Sequence, residues 1–571
     1  MKNSKITRSL AITLALITLF TALLLGACSC RFYRRNVFDY NAIEYSRPDY
    51  SAIEQAFREA EDSISSDNII LLSRKTNTAM EKVDEFLSAY TYVNVEYNKD
   101  SVAYGDEYRW LSQKYNDVMD LYYSLLYKLL ESEYEEDVFE GWSEEDKQSV
   151  RDRYEVTGEE YTRLQNEITD LQMQYNELDG DIGEEFALAV EDIYLALIDK
   201  NKALAKLEGY DDYAEYAYEN AYGRSYEPAQ AKTLEANIKQ HISPILNELY
   251  DYESLKQYVD EKLAQGGSSG SSDSSGSSGS SDSNISIFYD YIEYAESTVQ
   301  EFTLEIGNDF AEAYDYMKEC NLLFKSTPNN APNALGGSFT TYLYGYEAPF
   351  MFVTCDGSYA DISTYVHEFG HFAEYYINGQ NGGSELDIAE IHSQGAEMLF
   401  MPYYKELFTE ESANEIENEL LFNTVYFSVI MGCMLDEFQC ELYTNTDEYR
   451  ADGAITELFD KLLKEYNADE YGNLMGRLNG YEFKYWWSIV SHNIEVPFYY
   501  ISYAMSALPA LIVYEDSMVN RAEAIESYNY VLTYGDGTYG FEELLTNAGL
   551  ASPFSSSTIS SLADFLKEAT K

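Results

Sequence analysis

DISTYVHEFGHFAEYYI, residues 361–377, carries its apolar residues at helical spacing and sets His367 and His371 four residues apart. On a helix such a pair lies on one face, about one turn apart. That is the reach two imidazoles need to hold one Zn²⁺. Glu368 follows the first histidine directly, so it flanks the metal without binding it, placed to take a proton from a water there. The chain has only 5 histidines in 571 residues, so two of them in H-E-x-x-H spacing is a specific signal.

H-E-x-x-H on a helix is the signature of zinc metallopeptidases. A catalytic zinc ordinarily takes three protein ligands and a water, so a third ligand is expected nearby. After a turn at 378–385, LDIAEIHSQGAEMLFM (386–401) reads as a second helix. Glu390 and Glu397 are seven apart there and share a face. One of them is the expected third ligand, and the other sits behind it or faces solvent. Glu374 is a weaker candidate, because it would have to reach back along its own helix. His392 lies off the Glu390 face and takes no role. Upstream, Ala348 to Thr354 is a run of β-formers between Pro349 and Asp356-Gly357 and reads as a strand leading into the histidine helix. An exposed edge at that strand would accept a peptide as a further strand.

Downstream, WWSIVSHNIEVPFYYISYAMSAL (486–508) brings His492, Tyr499, Tyr500 and Tyr503 together. Such N–H and O–H groups can face a developing oxyanion. YGDGTYGFEELLTNAGLASPF (534–554) reads as a glycine-rich turn and a helix. From about 48 to 265 apolar and aromatic residues recur every three to four positions, as in YRWLSQKYNDVMDLYYSLLYKLL (108–130), which predicts a helical lobe without ligand chemistry. His241 is read as structural. No fixed-period repeat marks a solenoid. Residues 266–283, GGSSGSSDSSGSSGSSDS, form a flexible coil with nothing to pack.

The N-terminus reads as a targeting segment. Lys2, Lys5 and Arg8 precede the apolar run LAITLALITLFTALLLGA (10–27), which ends in Leu25-Gly26-Ala27-Cys28. That ending resembles a bacterial lipobox, cleaved before a lipidated Cys28; the other reading is an uncleaved signal anchor, since the run is long enough to span a bilayer. Both place the rest of the chain outside the cytoplasm on a membrane, where Arg31, Arg34 and Arg35 can rest against anionic headgroups. The net charge of −62, from 100 acidic and 38 basic residues, excludes nucleic acid as a natural partner. No two of the 6 cysteines are spaced C-x-x-C, so no zinc knuckle or redox motif is expected. Cys433 and Cys440 lie two helical turns apart, too far for a disulfide, and read as buried thiols.

APFMFVTCDGSYADISTYVHEFGH (348–371), EIHSQGAE (390–397), HNIEVPFYYISY (492–503) and GFEELLTNAGL (540–550) together resemble the thimet oligopeptidase and oligoendopeptidase F family of zinc peptidases. LAKLEGYDDYAEYAYE (204–219) is similar to that family's helical part. The resemblance covers most of 200–555 in order. It implies a mainly α fold of two helical lobes flanking a deep channel, with a small β-sheet beside the zinc helix. It implies one Zn²⁺ per chain held by His367, His371 and Glu390, Glu368 as base, and His492 and Tyr503 on the oxyanion side with Tyr500 nearby. By bare spacing Glu397 would suit the ligand better, but the E-x-x-S-Q-x-x-E pattern aligns Glu390, leaving Glu397 behind it. No glycine lies between His492 and Tyr503, unlike the thimet branch, so the oligoendopeptidase F branch is the closer match. The expected organisation is a signal segment at 1–27, a membrane-proximal linker at 28–47, an N-terminal helical lobe at 48–265, an inserted Gly/Ser tract at 266–283 and a catalytic region at 284–571. The expected activity is hydrolysis of short unfolded peptides outside the cytoplasm. A surface peptide-binding lipoprotein that keeps the fold without turnover is the alternative of another class.

Overall fold

The structure is a computed structural model. It describes residues 38–570 apart from 67, 140–141, 143–146, 149, 152–158, 250–251, 265–287 and 382–385. The signal segment, Cys28 and the Gly/Ser tract therefore lie outside the described residues. Helices dominate, with one small sheet, as the periodicity predicts. Contacts group the described residues of Met1–Thr157 and Ser274–Ser384 into one compact unit, and those of Gly158–Asp273 and Glu385–Lys571 into a second.

In the first unit, α1 (Tyr50–Ile64), α2 (Ile69–Lys99) and α3 (Ser101–Leu130) pack around Phe57, Val83, Phe86, Leu111, Tyr122 and Leu126. Each begins on an Asp or Asn whose side chain accepts first-turn N–H groups: Asp49 for α1, Asn68 for α2 and Asp100 for α3. The same unit holds a three-stranded sheet of β1 (Leu323–Ser326), β2 (Phe339–Leu343) and β3 (Ala348–Thr354), in the order β1-β3-β2. β3 runs parallel to β1 and antiparallel to β2, with Phe352 opposite both Phe324 and Phe339.

β3 spans the residues the sequence predicts, but it is the central strand. It is buried from Ala348 to Val353 and hydrogen-bonded on both sides, which is why it reads as an unbroken apolar run. It offers no edge to a peptide; the edges belong to β1 and β2.

A tight turn then launches α4 (Ala360–Asn378), the HEFGH helix. The Asp361 carboxylate accepts the backbone N–H groups of Asp356 and Gly357, at 3.1 and 3.0 Å. Gly357 adopts φ +84°, where a side chain would be strained, and a Cβ there would stand 3.2 Å from the Phe288 ring. Ile362, Val366, Phe369, Phe372 and Ala373 bury one face of α4, and Phe369 meets Phe310 and Tyr314 edge-on.

In the second unit, α5 (Leu386–Phe400) packs on α7 (Ile501–Tyr534), with α6 (Met431–Thr444) beside α7. Gly395 permits the α5–α7 approach: a Cβ there would stand 2.8 Å from the Tyr528 ring. Tyr528 also donates from its hydroxyl to the His392 carbonyl, at 2.6 Å. α7 breaks at Asn520, whose φ and ψ are −148° and 89°. Cys433 and Cys440 lie on α6 as free thiols, Cys433 buried and Cys440 partly so; Cys320 and Cys355 are free and buried. His241 is half-buried, with Nε2 3.2 Å from the Ser556 hydroxyl.

Candidate active site

His367, Glu368 and His371 all come from the middle of α4. The imidazole rings stand 5.2 Å apart between centroids, nearly perpendicular at 79°. Each ring is half-buried, whereas Glu368 is only 5% exposed. Thr340, on β2, donates from its hydroxyl toward Glu368 Oε2 at 2.8 Å and toward the Glu368 carbonyl at 2.9 Å. The sheet thus orients the carboxylate that follows the first histidine.

Glu390 lies on α5, one turn from its N-terminus. Ser393 donates from Oγ to Glu390 Oε2 at 2.9 Å, within the same helix. His367, His371 and Glu390 each present one ligand atom, and these atoms all lie within 4.8 Å of one another. Two imidazoles and a carboxylate make up the donor set of an open catalytic zinc site, with a position left for water. The set suits zinc and contains no sulfur. Glu397 lies two turns further along α5, half-buried, and does not belong to this group. Glu374 and His392 are fully buried and also stand outside it.

The other predicted groups gather in the second unit. His492 opens a one-turn helix, His492–Glu495, and Tyr503 lies in the first turn of α7. The Tyr503 hydroxyl is 3.4 Å from His492 Nε2. Ring centroids of Tyr499, Tyr500 and Tyr503 lie 5.4, 5.1 and 5.9 Å from that of His492. Burial, the neighbouring Tyr499 and the charge on Glu390 hold the Tyr503 phenol well above its ordinary pKa. It therefore remains an O–H donor at any physiological pH, close enough to Glu390 to feel its charge. Burial pushes the Tyr500 phenol up to about 12. Burial also lowers the pKa of His492, opposed by Glu495, which favours neutral imidazole.

Two contributors escape a sequence reading. Thr340 sits in an ordinary strand pattern, and nothing in the sequence marks it. Ser393 falls inside E-x-x-S-Q, and its position one turn after Glu390 is the signal that could have found it.

A helical fold carrying an HExxH helix, a third carboxylate and a cluster of phenol donors is that of a metallopeptidase. No curated protein sequence matches this one. Residues 322–564 match the model of Peptidase family M3. Solved structures share the fold. One assigned as an oligoendopeptidase F superposes with a TM-score of 0.67 at 19% identity, covering 93% of this chain and 98% of that one. PZ peptidase A, determined with an inhibitor, gives 0.66 at 18% identity over 93% and 99%. A protein from Bacillus anthracis strain Ames assigned as an oligoendopeptidase F gives 0.64 at 18% over 93% and 97%. At these identities the likeness is one of fold.

Proposed function

We propose that this metallopeptidase is a zinc-dependent oligoendopeptidase that hydrolyses short unfolded peptides outside the cytoplasm, held to the membrane through its N-terminal segment by a lipid on Cys28 or by a signal anchor. The convergence of His367, His371 and Glu390 beside a buried, oriented Glu368 carries the catalytic part of this reading. The basic start, apolar run and Leu25-Gly26-Ala27-Cys28 support the location.

His367, His371 and Glu390 would hold the ion, one per chain, and Glu397 would lie behind Glu390. When bound, zinc acidifies the attacking water and polarises the scissile carbonyl. Glu368 takes the proton of that water and passes it to the leaving amine, acting first as general base and then as general acid. Thr340 keeps the carboxylate aimed through both transfers. Attack places negative charge on the former carbonyl oxygen. Tyr503, kept protonated by burial, donates to that charge with His492 beside it, and Tyr500 packs against both. Donors of this kind act mainly in the transition state, so they raise turnover more than they tighten substrate binding.

The test is a library of internally quenched peptides of graded length, assayed with and without chelator. Cleavage of short peptides that stops with chelator and returns with zinc is expected. Hydrolysis indifferent to chelator, or peptide binding without cleavage, would overturn the reading. Mass spectrometry of the membrane fraction checks the anchor: a lipid-modified Cys28 at the mature N-terminus is expected, and an intact 1–27 segment would favour the signal anchor.

A further inference from the structure

Between the His492–Glu495 turn and α7 the chain makes an unusual bend. Phe498 adopts φ +66°, a region that glycine takes easily and a bulky side chain does not. Such a residue persists only where its surroundings over-determine it, and here they do. The Phe498 N–H donates to Gln439 Oε1 at 2.7 Å, and its carbonyl accepts from Arg224 Nη2 at 2.8 Å. One residue before, the Pro497 carbonyl accepts from the Tyr222 hydroxyl at 2.8 Å.

Arg224 binds more than this bend. Its Nη2 also donates to Ser502 Oγ at 2.9 Å, and its Nε lies 3.3 Å from Asp387 Oδ2. The guanidinium is buried over the rings of Tyr218 and Tyr222, 4.5 and 4.8 Å from their centroids. Tyr226, four residues further on, donates to the same Asp387 oxygen at 2.7 Å. Ser506 on α7 donates to the Asp387 carbonyl at 2.7 Å. Asp387 stands in the first turn of α5, three residues before Glu390. Phe498 and Ser502 bracket Tyr499 and Tyr500, and Tyr503 follows Ser502 directly. One rigid fork therefore bonds both the helix that carries the third ligand and the segment that carries the phenols, and it touches neither the ligand nor the Tyr503 hydroxyl.

We propose that Arg224 is a positioning residue for peptide-bond hydrolysis, setting where the Tyr503 hydroxyl stands relative to Glu390. The proposal rests on the reading of Tyr503 as an oxyanion donor. Its planar fork can serve Phe498, Ser502 and Asp387 together, which a lysine cannot do.

The experiment is a double-mutant cycle of Arg224→Lys with Tyr503→Phe in the zinc-loaded full chain, read by steady-state hydrolysis of one quenched peptide. Zinc content and calorimetric affinity for a peptide phosphonate, a tetrahedral mimic of the adduct, are measured alongside. Arg224→Lys alone is expected to lower kcat at least about tenfold, as misplacement of a catalytic group does, with KM within about twofold and full zinc. Phosphonate affinity should fall by a similar factor. In the Tyr503→Phe background the same change should cost less than about threefold, because the hydroxyl it places is gone.

Equal losses in both backgrounds would overturn the proposal and leave Arg224 as a fold residue, as would an Arg224→Lys enzyme with wild-type kcat. A Tyr503→Phe enzyme with wild-type kcat would overturn it through the Tyr503 reading. Absence of any hydrolysis by the parent chain would sink the peptidase reading itself. If Arg224→Lys does not fold, Ser502→Ala, which removes one acceptor and little volume, runs through the same cycle. Its loss of kcat must likewise vanish in the Tyr503→Phe background, and an equal loss there overturns the proposal.

Discussion

Replacing Thr340 by valine would remove one oxygen and keep the β-branched shape that a strand accommodates. That oxygen sits 2.8 Å from Glu368 Oε2 and 2.9 Å from the Glu368 carbonyl, and its single proton is shared between them. A hydrogen bond to a charged group contributes about 1.5–3 kcal/mol. Sharing the proton roughly halves what reaches the carboxylate, leaving about 0.75–1.5 kcal/mol of orienting energy. Each 1.4 kcal/mol is tenfold in rate, so kcat/KM should fall roughly 3- to 12-fold. Zinc content should not change, because Thr340 does not contact a ligand in the structure. The assay is steady-state cleavage of a quenched peptide at saturating zinc, with metal analysis on the same sample. A variant with full zinc and kcat/KM within about twofold of the parent would show that the bond does not aim the base. A loss beyond about a thousandfold would mean that Thr340 takes part in the chemistry directly.

Tyr503→Phe should lower kcat by about 10²–10³ with KM nearly unchanged, the cost of one oxyanion donor; an unchanged kcat would leave Tyr503 as packing and make Tyr500 the next residue to replace. Glu390→Ala should lose zinc while Glu397→Ala keeps most of it and loses activity more mildly, and metal analysis showing the reverse would transfer the ligand role. Glu235 and Asp436 share a buried site in which Glu235 donates to Asp436, and the Tyr218 hydroxyl donates to Asp436 Oδ2 at 2.8 Å. Burial, with the charges of Asp436 and Glu437, raises the Glu235 carboxyl far above the usual range. An acid raised on folding binds more protons folded than unfolded, so this pair contributes stability at low pH that is lost as pH climbs from about 5 through neutrality. Melting curves between pH 5 and 8 should therefore slope downward for the parent and less steeply for Glu235→Gln, and identical slopes would refute the shared proton.

The placement of the histidine pair and of Glu368 beside it was legible because their geometry is local. A four-residue spacing on a helix places two imidazoles without help from the rest of the fold. The clustering of His492 with Tyr499, Tyr500 and Tyr503 was legible for the same reason, since eleven residues of chain hold them together. Glu390 needed the resemblance, because helix periodicity gives Glu390 and Glu397 the same face. Thr340 was hidden, because its role arises only when β2 is laid beside α4, a pairing no local pattern announces. Phe498 was hidden for another reason. A left-handed bend is ordinarily signalled by glycine, and here the residue is bulky and held by Gln439 and Arg224 from distant stretches. The strand edge expected at Ala348–Thr354 failed because an apolar run shows burial but does not say whether one neighbour or two provides it.

β3 is gripped from both sides and feeds directly into α4, so backbone bonding alone keeps the two imidazoles a turn apart. An ion arriving at such a pair would meet a backbone whose conformational entropy has already been lost in folding. Its affinity would then be set by stripping water from the ion and protons from the imidazoles rather than by ordering chain. Small zinc domains behave in the opposite way, folding only as the metal binds. On the proposed reading, zinc would enter after the chain has folded, and a chelator would withdraw it and leave the fold standing.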